Sequence, residues 1–201
     1  MSFILSLLAA ADCMAASKDA FENGYKRPAV AAHGYNSLVL SSDGAVYAAG
    51  RNTFELGLGG ASVSDVKRGT FLKIPSLSGK NIAAISAGRD HSFAIADNGK
   101  LYAAGDGYQT GLGAKNRCEK LVEKFMAGQV DHVSESDMYD CWGFIEVPSL
   151  SGKKIVAVAA GSYHSLAIDS NGVIYAAGEN KEWQLGLGDT NERAEFTPVP
   201  L

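Results

Sequence analysis

Cysteine, basic runs and long apolar stretches are scarce in this chain, and each scarcity removes a class of protein. Three cysteines, Cys13, Cys118 and Cys141, occur in 201 residues. Their spacing matches no zinc-site pattern. Cys118 and Cys141 bracket one irregular segment. We prefer two ordinary thiols there; the alternative is a disulfide that clips the segment in an oxidising compartment. Lys and Arg number 18 against 22 Asp and Glu, a net charge of −4 with no basic run, which argues against a nucleic-acid surface. The apolar N-terminal run, Phe3 to Ala11, falls far short of the roughly 20 residues that span a membrane. Followed by small residues, it resembles a signal peptide over 1–16 without the basic start such peptides carry. The other reading is a short apolar element packed on the first structural unit. The cytoplasm is preferred, with export as the alternative.

What the chain has in quantity is glycine, 23 residues, and a hydrophobic share of 46%, ample for a core. The glycines fall in a pattern. Three blocks, 33–59, 88–113 and 161–188, each run from an Asn-Ser or His-Ser pair through Ala-Ala-Gly to Gly-Leu-Gly. Ser37, Ser92 and Ser165 are followed seven residues later by Gly44, Gly99 and Gly172, and thirteen later by Gly50, Gly105 and Gly178. A second pair repeats as well, FLKIPSLSGKNI at 71–82 and FIEVPSLSGKKI at 144–155. The serines lie 55 and then 73 residues apart, and the 18-residue excess falls between Gly113 and Phe144. Fixed spacing of this kind marks an array of similar units.

Each unit reads as β. Asp-Gly or Asn-Gly at 43–44, 98–99 and 171–172 predicts two-residue hairpin turns. The Ile-, Val- and Ala-rich stretches 82–87 and 155–160 predict preceding strands, and the Pro-bearing KIPSL and EVPSL predict short edge strands. Four short strands per unit give sheets with two apolar faces. Packing such sheets around an axis makes a β-propeller, and the small Ala-Ala-Gly residues are expected at its crowded axis.

At these residues the chain resembles the regulator of chromosome condensation repeat family. The family pattern runs Ala-Ala-Gly, His-Ser-Leu-Ala-Leu, a turn Gly, Val-Tyr-x-Trp-Gly-x-Asn and Gly-Gln-Leu-Gly-x-Gly. The third copy follows it best, with Ala159, Gly161, His164, Ser165, Gly172, Tyr175, Gly178, Asn180, Gln184 and Gly186 in place. The family Trp is replaced by Ala49, Ala104 and Ala177, and copy one has Asn36 for His and His33 for Gly. The resemblance implies an all-β partial propeller of about three four-stranded blades with a short helical insertion. It divides the chain into an N-terminal segment, 1–28, and a repeat domain, 29–200. The repeats are about 29–70, 71–143 and 144–200, with the insertion at 114–143. The tail FTPVPL, 196–201, aligns with FLKIPSL and is expected to open a further unit. The family ring has seven blades, so three are expected to be part of a larger protein, an open arc with exposed apolar faces, or copies that associate to bury those faces.

No catalytic constellation emerges. The adjacent His-Ser pairs at 91–92 and 164–165 recur by repetition and point to opposite faces of a strand, so they read as structural. The Gly-Leu-Gly ends lack the lysine and helix of a phosphate loop. No metal or cofactor is expected. Within the insertion, 116–128 predicts a helix with Leu121, Val122, Phe125 and Met126 as its apolar stripe. Beyond it, Asp137, Met138, Tyr139, Asp140 and Trp142 form the candidate partner-binding surface. The expected function is a non-enzymatic scaffold that binds a protein through propeller loops. The alternatives are regulation of, or nucleotide exchange on, a small GTPase, and an exported or surface binding protein.

Overall fold

The computed structural model describes residues 28–50, 56–58, 70–105, 107–113, 126–128 and 143–200. These residues form three antiparallel sheets of four strands each, every sheet running in simple chain order. The first holds β1 (Ala29–His33), β2 (Asn36–Leu40), β3 (Val46–Gly50) and β4 (Leu72–Lys73). The second holds β5 (Ile82–Ala87), β6 (His91–Ala96), β7 (Leu101–Gly105) and β8 (Ile145–Glu146). The third holds β9 (Ile155–Ala160), β10 (His164–Asp169), β11 (Ile174–Gly178) and β12 (Arg193–Pro198). Besides these strands, the described residues include one short helix, α1 (Gly107–Thr110), and two 3-10 turns. The all-β blade architecture expected from the repeat is therefore the architecture observed.

Alternation along each strand gives every blade two different faces. Leu38, Leu40, Val46 and Ala48 of the first blade pack on Ala94, Tyr102 and Ala104 of the second. Phe93, Ile95, Leu101 and Ala103 on the second blade's other face pack on Ala167, Tyr175 and Ala177 of the third. One face is thus bulky and its counterpart is small, with a single tyrosine. The first strands touch in succession, β1 to β5 and β5 to β9, which places them innermost. Ala-Ala-Gly ends the third strand, one place in from the outer edge, so it does not line the axis as expected. Its alanines make the blade-to-blade contact. Its glycines are needed because a Cβ on Gly50, Gly105 or Gly178 would strike the Tyr35, Asp90 or Tyr163 carbonyl, at 1.9 to 2.4 Å.

The hairpins also differ from the two-residue form. Gly44, Gly99 and Gly172 alone adopt positive φ there, and each N–H bonds the carbonyl three residues back. This is a type I turn closed by a glycine bulge, a three-residue loop. Asp43, Asn98 and Asp169 side chains accept backbone N–H bonds of these turns.

Gly-Leu-Gly proves to be an inter-blade seam. Leu58 bridges to Gly143 and Leu112 to Glu195, each on the outer strand region of the following blade. A Cβ on Gly57 would lie 2.3 Å from the Phe144 ring, and one on Gly111 2.3 Å from the Phe196 ring. Ser76 and Ser149 tie the same seam: each hydroxyl accepts the N–H of Phe144 or Phe196, at 2.9 and 3.2 Å. Pro75 and Pro148 open the 3-10 turns carrying these serines instead of lying within an edge strand. FTPVP pairs with β11 and closes the third sheet, so the segment expected to open a further unit completes the preceding blade.

Gly111 and Gly152 separate two costs of adding a methyl group. Both have positive φ, but only Gly111 faces a ring; Gly152 faces open space. Gly152→Ala should lose about 1 kcal/mol from backbone strain. Gly111→Ala should lose a further ~1–3 kcal/mol from overpacking. Urea unfolding of the two variants measures the difference.

Candidate interaction face

The turns that join first to second strands all emerge at one end of the blades, because β2, β6 and β10 start opposite the ends of β3, β7 and β11. Their tips lie side by side. Asn36 Nδ2 donates to the Arg89 carbonyl at 3.2 Å, linking the first tip to the second. The Arg89 guanidinium sits 5.0 Å from the Tyr163 ring centroid, linking the second to the third. Arg89 also pairs with Asp90 at 3.6 Å, with both side chains about half exposed. Tyr35 is 74% exposed at the first tip.

The loops that leave the third strands rise at the same end. In the third blade, Asn180 is fully buried and organises this loop. Its Nδ2 donates to the Asp189 carbonyl at 2.7 Å, and its Oδ1 accepts the Leu185 N–H at 2.9 Å. Arg193 Nη2 lies 2.7 Å from Asp189 Oδ2 and holds that carboxyl below the usual carboxylate range, aided by the Asn191 N–H. At the tip stands Trp183, 59% exposed, with φ at +61°. That region suits glycine; a bulky residue there is strained by about 1–3 kcal/mol. The equivalent residue before Gln109 is Tyr108, on α1, also exposed. Aromatic side chains with an arginine among mixed charges are the residue types that dominate protein interfaces.

Below this rim lies the recurring histidine. His91 Nε2 is 2.8 Å from Ser165 Oγ of the next blade, both groups wholly buried. The pair has the separation of a base and its nucleophile, but the protons run the other way. Ser165 Oγ donates to the Gln109 carbonyl at 2.7 Å, so Nε2 must carry a proton and donate to Ser165. Nδ1 is buried without a partner. Burial, with His164 and His33 nearby, drives the His91 pKa down to about 3. The ring is a neutral clamp between blades. The structural role expected of the repeated histidine is met here by a side chain of the next blade. Gly88 and Gly161 leave room for the rings of His91 and His164, with Cβ positions 2.3 and 2.6 Å from the Cε1 atoms. The first blade exchanges the two sites: His33 supplies the ring and faces the smaller Asn36 in register.

The candidates named from the sequence, Asp137, Met138, Tyr139, Asp140 and Trp142, lie outside the described residues, as do Cys118 and Cys141. So does the predicted helix, apart from 126–128, where Met126 is exposed. Sequence reasoning missed the rim. Its signal was an aromatic preceding Glu or Gln in all three copies, Phe54, Tyr108 and Trp183, where the family pattern has glycine. Among the described residues, no three His, Cys, Asp or Glu side chains gather as a metal site, and no helix is long and apolar enough to cross a membrane.

The family model described as regulator of chromosome condensation (RCC1) repeat matches residues 82–109 and 155–182. The chain is 29% identical over 170 residues to Protein pim1 of Schizosaccharomyces pombe, covering 81% of this chain and 29% of that protein. It is 31% identical over 156 residues to the human E3 ubiquitin-protein ligase HERC2, covering 77% of this chain and 3% of that one. Among solved structures it resembles Prp20p from Saccharomyces cerevisiae, described with its binding properties to Gsp1p and histones. That match has a TM-score of 0.59 at 22% identity and covers 89% of this chain and 39% of that one. The chain therefore spans well under half the length of these relatives.

The clamp makes stability depend on pH. In the unfolded chain His91 takes up a proton near pH 6.5; in the folded chain it does so only near pH 3. Stability present above pH 6.5 should therefore fall as pH drops towards 3, by about 1.4 kcal/mol per pH unit from this group. His91→Gln keeps an N–H for Ser165 and does not titrate. Its unfolding free energy should show a shallower slope, by one proton, between pH 4 and 6, in urea titrations at stepped pH.

Proposed function

Because this chain belongs to the regulator of chromosome condensation repeat family, we propose that it is a non-enzymatic scaffold that binds a protein partner on its turn-tip rim. The observation that carries this reading is Trp183. An exposed tryptophan in a left-handed conformation gains nothing for the fold, and a buried asparagine and an Arg–Asp pair hold the loop that presents it. Tyr163, Arg89 and Tyr35 extend the same surface across three blades. Asp137, Met138, Tyr139, Asp140 and Trp142 are proposed as a second contact, since the insertion is the segment that repetition does not account for.

Trp183→Gly should melt no lower than the parent chain, because glycine relieves the strain. The same variant, with Tyr163→Ala, should lose the proteins that the parent chain retains in affinity capture from its source cells. If the variant retains them undiminished, the rim is not the binding surface.

The alternative, nucleotide exchange on a small GTPase, draws on the Gsp1p binding described for Prp20p. On the scaffold reading, release of a fluorescent guanine nucleotide from purified small GTPases should not accelerate when this chain is added. Acceleration would establish the alternative.

A further inference from the structure

The junction between the first and second blades and the junction between the second and third are built to one plan, but only the latter is closed by protein atoms. There His91 Nε2 donates to Ser165 Oγ at 2.8 Å, and Ser165 Oγ donates to the Gln109 carbonyl at 2.7 Å. At the other junction the corresponding residues are Asn36 and Ser92. Asn36 pairs with Gly50 as His91 pairs with Gly105, and Ser92 pairs with Ala104 as Ser165 pairs with Ala177. Both side chains are wholly buried. Asn36 does reach the second blade, since its Nδ2 donates to the Arg89 carbonyl at 3.2 Å. Its amide is shorter than an imidazole, and Asn36 Oδ1 and Ser92 Oγ both lack a protein hydrogen-bond partner.

His33 brings a third such atom to the same place. It stands opposite Asn36 in register, and its buried Nδ1 is also unpaired. Its counterpart on the second blade is Gly88, where a Cβ would lie 2.3 Å from Cε1 of the clamp ring. A side chain at position 33 therefore begins where the first blade's clamp ring would lie. The remaining unpaired atom, His91 Nδ1, packs on Gly88 and belongs to the other junction. Buried polar atoms are costly to leave unpaired, and three at one junction call for a shared partner.

Their hydrogen-bonding roles fit one water molecule. Asn36 Oδ1 only accepts, Ser92 Oγ can donate, and His33 Nδ1 accepts when the ring carries its proton on Nε2. A water donates two bonds and accepts a third, and a buried water makes about three. A cation would need a carboxylate that this set does not include. We propose that a single buried water lies between the first and second blades, accepting the Ser92 hydroxyl and donating to Asn36 Oδ1 and His33 Nδ1. It does for this junction what the His91 imidazole does for the next.

Crystals of the full chain, at a resolution that shows solvent, test the placement. One ordered water should lie within hydrogen-bond distance of all three atoms, and none between His91 and Ser165. In solution, the Ser92 backbone amide should show a nuclear Overhauser effect to water with the sign of a long residence time. Asn36→His with His33→Gly rebuilds the direct clamp, and that signal should be lost. Should this variant not melt cooperatively, Ser92→Ala removes one of the three partners, and the signal of the residue 92 amide should weaken. Direct bonding of Ser92 Oγ to Asn36, no water at the three atoms, or a signal undiminished in the variants would overturn the proposal.

Discussion

The contact between a bulky sheet face and a small one governs this molecule. A four-stranded sheet of such short strands has no inside of its own; both faces are apolar, and each is buried only when a neighbour covers it. Leu38 and Leu40 need Ala94 and Ala104, and Phe93 and Ile95 need Ala167 and Ala177. The repeat is therefore a repeat of interfaces as much as of strands. His91 to Ser165 near the tips and Ser76 to Phe144 at the outer seam fix the angle at which one blade meets the next.

Much of this was legible from residue order. Glycines at constant intervals located the turns, and the Ile-, Val- and Ala-rich stretches with the Pro-bearing segments gave four strands per blade. The axis was misread because composition alone cannot say which strand lies innermost. Ala-Ala-Gly looked suited to crowding, and it is crowded, but by the adjoining blade and by a turn carbonyl. The turn type was missed because Asp-Gly fits both a two-residue turn and a type I turn with a bulge; the hydrogen bond from Gly44 to Ser41 decides between them. The His–Ser clamp could not be foreseen because it joins residues 74 positions apart on different blades.

The candidate surface was the least legible part. In the sequence the irregular insertion stands out, because departures from a repeat are conspicuous. The rim residues belong to the repeat itself, at the turn tips, where side chains vary while the backbone is constrained. Trp183 reveals itself through its φ, a quantity that no composition or spacing carries. Tyr163 and Arg89 become neighbours only through the packing of two blades.

The seam around the insertion has an evolutionary consequence. Leu112 is bridged to Glu195 before it and Gly143 to Leu58 after it, while Gly113 N–H is bonded to the Ala194 carbonyl. Both ends of the intervening stretch are thus fastened to neighbouring blades by backbone bonds that do not depend on what the stretch contains. Such a site is a port: sequence can be lengthened, shortened or exchanged there while the flanking register stays put, so new specificities can be tried at little risk to the framework.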